Sequence, residues 1–289
     1  MLAEAGGTEV DHDAVLTALG VGFGFFFTQP PDEDFPVLAE CHDFALPEAA
    51  ALFGIRLRAM HPPRARYGLA DSAEFADHFD DSYVPLIQRA LENGQRVLTF
   101  RGWSADVSAT WGIVDRYERD THALWGTVPN LPEPVQLNQP ALQCYVVEEI
   151  QSAKPSALDV LAHGARTSFV LRERGSQVFP GLLKTQAAFD QLVQETKDLQ
   201  EAFPPLKTIT LIKHMEQRSR SLRRFLMKHD SESELENTLP GLEDILKKNI
   251  LAFGRFLKDA DIALLPVTLD DLLRIDKDTK RLLASFVSQ

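Results

Sequence analysis

Three glycines at alternating positions, Gly20, Gly22 and Gly24, followed by Phe25, Phe26 and Phe27, form the segment "LGVGFGFFFTQPP". Few structures tolerate such a run. A dinucleotide fingerprint needs G-x-G-x-x-G between a strand and a helix. Here the spacing is G-x-G-x-G, the preceding "DHDAVLTAL" reads as a helix, and Pro30-Pro31 cannot open one. A phosphate loop would also need Gly-Lys-Ser/Thr, which is absent. As a membrane anchor, the apolar stretch from Val15 to Phe27 is only about two thirds of the roughly 20 residues a spanning helix requires. The remaining reading is buried scaffold, in which the glycines let the backbone pass close to its neighbours and the rings fill a core.

Charge divides the chain. Residues 1–150 carry 9 arginines and no lysine against 23 acidic residues, whereas residues 151–289 carry 21 basic against 19 acidic. The first lysine is Lys154. A boundary there predicts two domains, residues 1–152 and 153–289. The net charge of −12 argues against nucleic-acid and anionic-membrane partners, since both rely on cationic protein surfaces. Two cysteines, Cys41 and Cys144, make no disulfide framework, and no zinc pattern or signal peptide is visible. The cytoplasm is therefore the expected location, with no metal and no cofactor; the sequence leaves the oligomeric state open.

The first part mixes strands and helices. "LPEAAALFGI" predicts a short helix from Pro47 to Gly54, and "IRLRAM" a strand. "SYVPLIQRALENG" predicts a helix capped by Ser82 and ended at Asn93-Gly94. "QRVLTFRGW", "TWGIVDRYE", "HALWGTV" and "QCYVVEEI" predict strands with antiparallel pairing. The second part predicts about four helices, in "PGLLKTQAAFDQLVQETKDLQEAF", "TITLIKHMEQRSRSLRRFLMKH", "LPGLEDILKKNILAFGRFLKDA" and "TLDDLLRIDKDTKRLLASFV". The expected fold class is α+β: a domain with an antiparallel sheet, then an all-α bundle. The basic helix from Lys207 to Lys228 carries seven Lys/Arg and one Glu, and reads as a solvated or internally paired face.

The order of "GVGFGF", "LFGI", "ENGQRVL" and "WGIVDRY" resembles that of papain-like proteins related to the butirosin-biosynthesis acyltransferase and the bacteriocin-leader peptidases. The helical second half is similar to the α-helical domain attached in the butirosin-type proteins. The resemblance implies a papain-like first domain, with "GVGFGFFF" packed inside it. It also implies a nucleophile helix before the glycine-rich segment, where this chain has "TEVDHDAVLTAL" and no cysteine; a longer form starting upstream would supply one. The family's catalytic histidine opens the "HxVVV" strand, and Thr110 or Trp111 stands there instead. A second alignment sets "ECHDFALPEAAALFGI" on the cysteine-bearing helix of the peptidases, with Cys41 as nucleophile and His61 or His122 as base. A cleft loop at "FRGWSADVSATWG" would bind substrate through Arg101, Trp103, Asp106 and Trp111, with a carboxylate on Arg101 and an apolar or cationic group under the rings. The alternative is that both tryptophans fill the junction between the domains and Arg101 pairs with a local acid. Three functions follow as expectations. The first is a catalytically degenerate papain-like protein binding a small molecule, peptide or carrier domain. The others are a thiol acyltransferase or amidase using Cys41, and a structural or protein-interaction module.

Overall fold

The computed structural model describes residues 11–29, 35–39, 42–60, 73–104, 110–129, 131–141, 143–178, 182–198, 206–229, 241–259 and 261–288. In chain order its elements begin with α1 (His12–Ala18), β1 (Phe27–Thr28), β2 (Val37–Leu38), α2 (His42–Leu52) and β3 (Ile55–Ala59). Next come α3 (Ala73–His78), α4 (Val84–Glu92), β4 (Arg96–Phe100), β5 (Trp111–Glu118), β6 (Ala123–Thr127), β7 (Val135–Leu137) and β8 (Gln143–Ile150). The rest is α5 (Ala157–Val178), β9 (Leu182–Leu183), α6 (Thr185–Asp198), α7 (Leu206–Lys228), α8 (Leu242–Asp259) and α9 (Leu265–Val287). The fold is α+β, and every strand pair is antiparallel. Among the described residues, no helix is long and apolar enough to cross a membrane.

Two compact units result. One holds residues 50–154; the other combines residues 10–49 with residues 155–289. The division at Lys154–Pro155 lies beside the expected boundary, but residues 10–49 fold with the helices and not, as expected, with the main sheet.

The strand unit is a six-stranded sheet ordered β3-β8-β4-β5-β6-β7. Its helical cover is α3 and α4, joined by a wide π-type turn at Phe79–Tyr83. Ser82 lies inside that turn, not at the expected cap, because the helix starts upstream at Ala73. Phe79, Tyr83, Ile87 and Ala90 pack on Val97, Val114 and Val146. Cys144 is in the same core, where burial pushes its thiol up to about 12. At neutral pH such a thiol is protonated and inert.

The helical unit answers the question raised by the glycines. Asp11 caps α1 by accepting the Asp13 N–H at 3.0 Å. The helix stops at Gly20, whose φ of 74° suits glycine. From Leu19 to Phe27 every residue is buried. A Cβ on Gly20 would lie 2.8 Å from the Gly164 carbonyl, one on Gly22 would lie 2.6 Å from Leu222 Cβ, and one on Gly24 would strike the Arg172 guanidinium. Arg172 is the clamp. Its Nη2 donates to the Phe23 carbonyl and to Asp276 Oδ1, both at 2.8 Å, with side chains only 7% and 13% exposed. Phe25 meets Phe253 and Phe27 meets Phe189 edge to face at 5.6 Å each. The segment is buried scaffold as read, but in the helical unit.

The helical unit has five long helices among the described residues where the sequence predicted about four. The extra one is α5. Its Gly164 and the residues Thr167 and Ser168 weaken its propensity, yet Gly164 lets α1 come so close that a Cβ would strike the Thr17 carbonyl. The basic helix α7 is largely paired. Arg224 donates to Asp13 through Nε at 2.9 Å and Nη2 at 2.7 Å, and Lys228 reaches Asp11 at 2.8 Å. Lys207 meets Glu195, Arg220 meets Glu216 and Arg223 meets Glu243. The bond from Arg224, joined by one from Ser221, holds the Asp13 carboxyl below its ordinary range despite the opposing effect of burial.

Candidate functional site

Register decides which side chains meet on the sheet. Phe100 pairs with Trp111 on one side and with Gln143 on the other, so these three form one row on one face. The next row holds Tyr145, Leu98 and Ile113. The rings of Phe100 and Trp111 lie 5.1 Å apart, and those of Trp111 and Tyr145 lie 6.2 Å apart. Phe100 and Tyr145 are buried, while Trp111 and the preceding Thr110 are half-buried and form the rim. Gln143 is 4% exposed, and its Oε1 has no hydrogen-bond partner among the described residues.

The chain turns sharply after this row. Arg101 has φ 63° and Gly102 φ 82°. A left-handed arginine costs about 1–2 kcal/mol, so the surrounding bonds must impose it. They do so on both sides. The Arg101 N–H donates to the Thr110 carbonyl at 3.0 Å, and the Gly102 carbonyl accepts from the N–H groups of Asn138 and Gln139, both at 3.0 Å. The Arg101 guanidinium stands 6.0 Å from the Phe100 ring centre. A half-buried cation beside rings and an amide can hold a carboxylate-bearing ligand.

Trp103 does not share this face. It is fully buried in the core on the helix side, stacked so tightly over Gly112 that a Cβ there would strike the indole. The two tryptophans close together in sequence therefore belong to opposite sides of the sheet, and Trp103 packs within the core of the strand unit. Asp106 lies outside the described residues, as do Cys41 and His61.

His122 sits in the turn between β5 and β6 with φ 53°, its Nδ1 2.7 Å from the Tyr117 hydroxyl. Trp111 opens β5 and this turn follows its other end, about 23 Å away at 3.3 Å per residue. The structure thus separates His122 from Arg101 and Trp111. Period-2 reading of "QCYVVEEI" would have put Gln143 and Tyr145 on one face, but only the pairing register joins them to Phe100 and Trp111.

The helix after Cys41 differs from expectation. α2 begins at His42, not at Pro47, which lies inside it. Pro47 is the sixth residue of this helix, where its missing N–H forfeits one interior backbone bond, while Ala45 and Ala49 on either side are buried. Among the described residues, no group of three or more His, Cys, Asp or Glu side chains could hold a metal ion.

No protein-family model matches the chain, and no curated protein matches it.

Proposed function

We propose that this chain is a divergent, catalytically degenerate papain-like protein whose cleft binds a small molecule, peptide or carrier domain. The observation that carries the reading is the row Gln143–Phe100–Trp111. At the start of β5, where the resemblance calls for a general base, stand Thr110 and Trp111, neither of which can take a proton at neutral pH. What remains on that row suits binding: rings, an amide and the neighbouring Arg101. The ligand lies against the rim of Trp111, with a carboxylate on Arg101. The test is a panel of acyl-thioesters and short peptides bearing a free carboxylate. The expected result is saturable binding without turnover, weakened by Arg101→Ala and by Trp111→Ala. Turnover that Cys41→Ala abolishes would overturn it.

One observation favours a second reading, a thiol acyltransferase or amidase using Cys41. The described part of α2 runs from His42 to Leu52, and Cys41 is the residue before it in sequence. A helix N-terminus lowers a thiol pKa through its partial positive charge. The pH dependence of alkylation separates the readings, with Cys144 as the buried control in the same sample. Rapid reaction at Cys41 with an apparent pKa well below about 8.5 supports the enzyme; ordinary reactivity supports the binding protein.

A further inference from the structure

A groove of about 340 Å³ runs between α8 and α9 in the helical unit, at the small end of the range of ligand pockets. Its apolar surface comes from Leu251, Ala252 and Ile275. Leu251 is 61% exposed, unlike Leu242, Leu246, Ala252, Phe253 and Phe256 of the same helix, which are buried. The charges around it are almost all matched. Lys248 pairs with Asp244 at 2.9 Å, Asp271 with Arg274, and Asp278 with Arg281 at 3.0 Å. Arg255 lines the same groove and, among the described residues, has no carboxylate partner.

We propose that this groove binds an anionic amphiphile with a single carboxylate. Its hydrocarbon body lies on Leu251 and Ile275, and its head takes the two-pronged hydrogen bond that a guanidinium offers a carboxylate. One unmatched cation calls for one negative charge; the paired carboxylates Asp271 and Asp278 disfavour a more highly charged head. The site is separate from the sheet row and does not depend on that reading.

The probe is octanoate, with octanol and octylammonium as its neutral and cationic counterparts. A ligand this small is expected to bind with a dissociation constant in the millimolar range. Calorimetry measures the affinity, and methyl NMR locates it at Leu251 and Ile275. The expected result is saturable binding of octanoate, about tenfold weaker in Arg255→Gln, with octanol unaffected by that change. Leu251→Ser should weaken octanoate and octanol alike. Arg255 and Leu251 are exposed, so both variants should fold. Absence of saturable shifts at the two methyl positions, equal binding of octylammonium, or octanoate binding that Arg255→Gln leaves intact would each overturn the proposal.

Discussion

Gly20 and Arg101 both adopt left-handed backbone, with φ of 74° and 63°, but for opposite reasons. At Gly20 the residue suits the geometry, and its neighbours press so close that no side chain fits. Around it the charged side chains are paired, Asp13 to Arg224, Asp11 to Lys228 and Arg172 to Asp276, although Ser168 Oγ and Arg172 Nε have no hydrogen-bond partner among the described residues. At Arg101 the geometry is imposed on a residue that resists it, beside a glutamine whose acceptor is unmatched. The first arrangement is what stability alone produces. The second keeps strain at a half-buried cation, which under the proposed reading would hold that side chain toward the ligand.

The two units can be followed separately, since Trp103, Trp111 and Trp125 all lie in the strand unit while the long helices dominate the far-ultraviolet signal. The largest expected effect is on the glycine-rich segment. Arg172→Ala leaves the Asp276 carboxylate buried and unmatched and should destabilise the helical unit by about 3–5 kcal/mol. Denaturant unfolding followed by circular dichroism measures it. Replacing the pair together, with Arg172→Met and Asp276→Leu, should cost much less. A single-variant loss near zero would mean that the clamp is ornamental.

Gly20→Ala comes next. The left-handed cost and the approach to the Gly164 carbonyl together predict a loss of about 2–3 kcal/mol. Tryptophan fluorescence should report little of it. Asp13→Asn is smaller, no more than about 1 kcal/mol, because Arg224 is largely exposed and screened. Its sign depends on pH. The Asp13 pKa is depressed on folding, so its stabilisation is fully present above the unfolded value of about 3.9 and is lost as pH falls through the folded value. The difference between wild type and Asp13→Asn should therefore be constant near neutrality and vanish in acid. The smallest effect has the opposite sign. Arg101→Gly should stabilise the strand unit by about 0.5 kcal/mol, as strain relief slightly exceeds the added chain entropy, while it weakens carboxylate-ligand binding. A variant that is less stable and binds normally would place Arg101 with the scaffold.

Much of this was legible locally. The strands at "IRLRAM", "QRVLTF" and "QCYVVEEI" announce themselves through β-branched and aromatic residues, and the turn at Asn93-Gly94 through its glycine. β7 escaped notice because three residues carry no period. α5 was hidden because Gly164 serves a contact with α1 from far along the chain, which propensity cannot reveal. The same holds for the site. Arg101 and Trp111 stand out by residue type, but the separation of Trp103 from Trp111 depends on which face each strand position takes. Gln143 carries no signal at all until register sets it beside Phe100.

The interrupted layout of the helical unit also has a consequence during synthesis. Residues 10–49 are made before the strand unit, yet the helices that receive Phe27 and Phe25 end only at Asp198 and Asp259. The strand unit, encoded between them, has all its residues long before. At about 5–20 residues per second, Phe27 waits roughly 8–32 s for Phe189 and Phe25 roughly 11–46 s for Phe253. Through that interval the run is an uncovered aromatic segment on a nascent chain. A product truncated before α9 would keep that segment partly uncovered, marking it for aggregation or degradation.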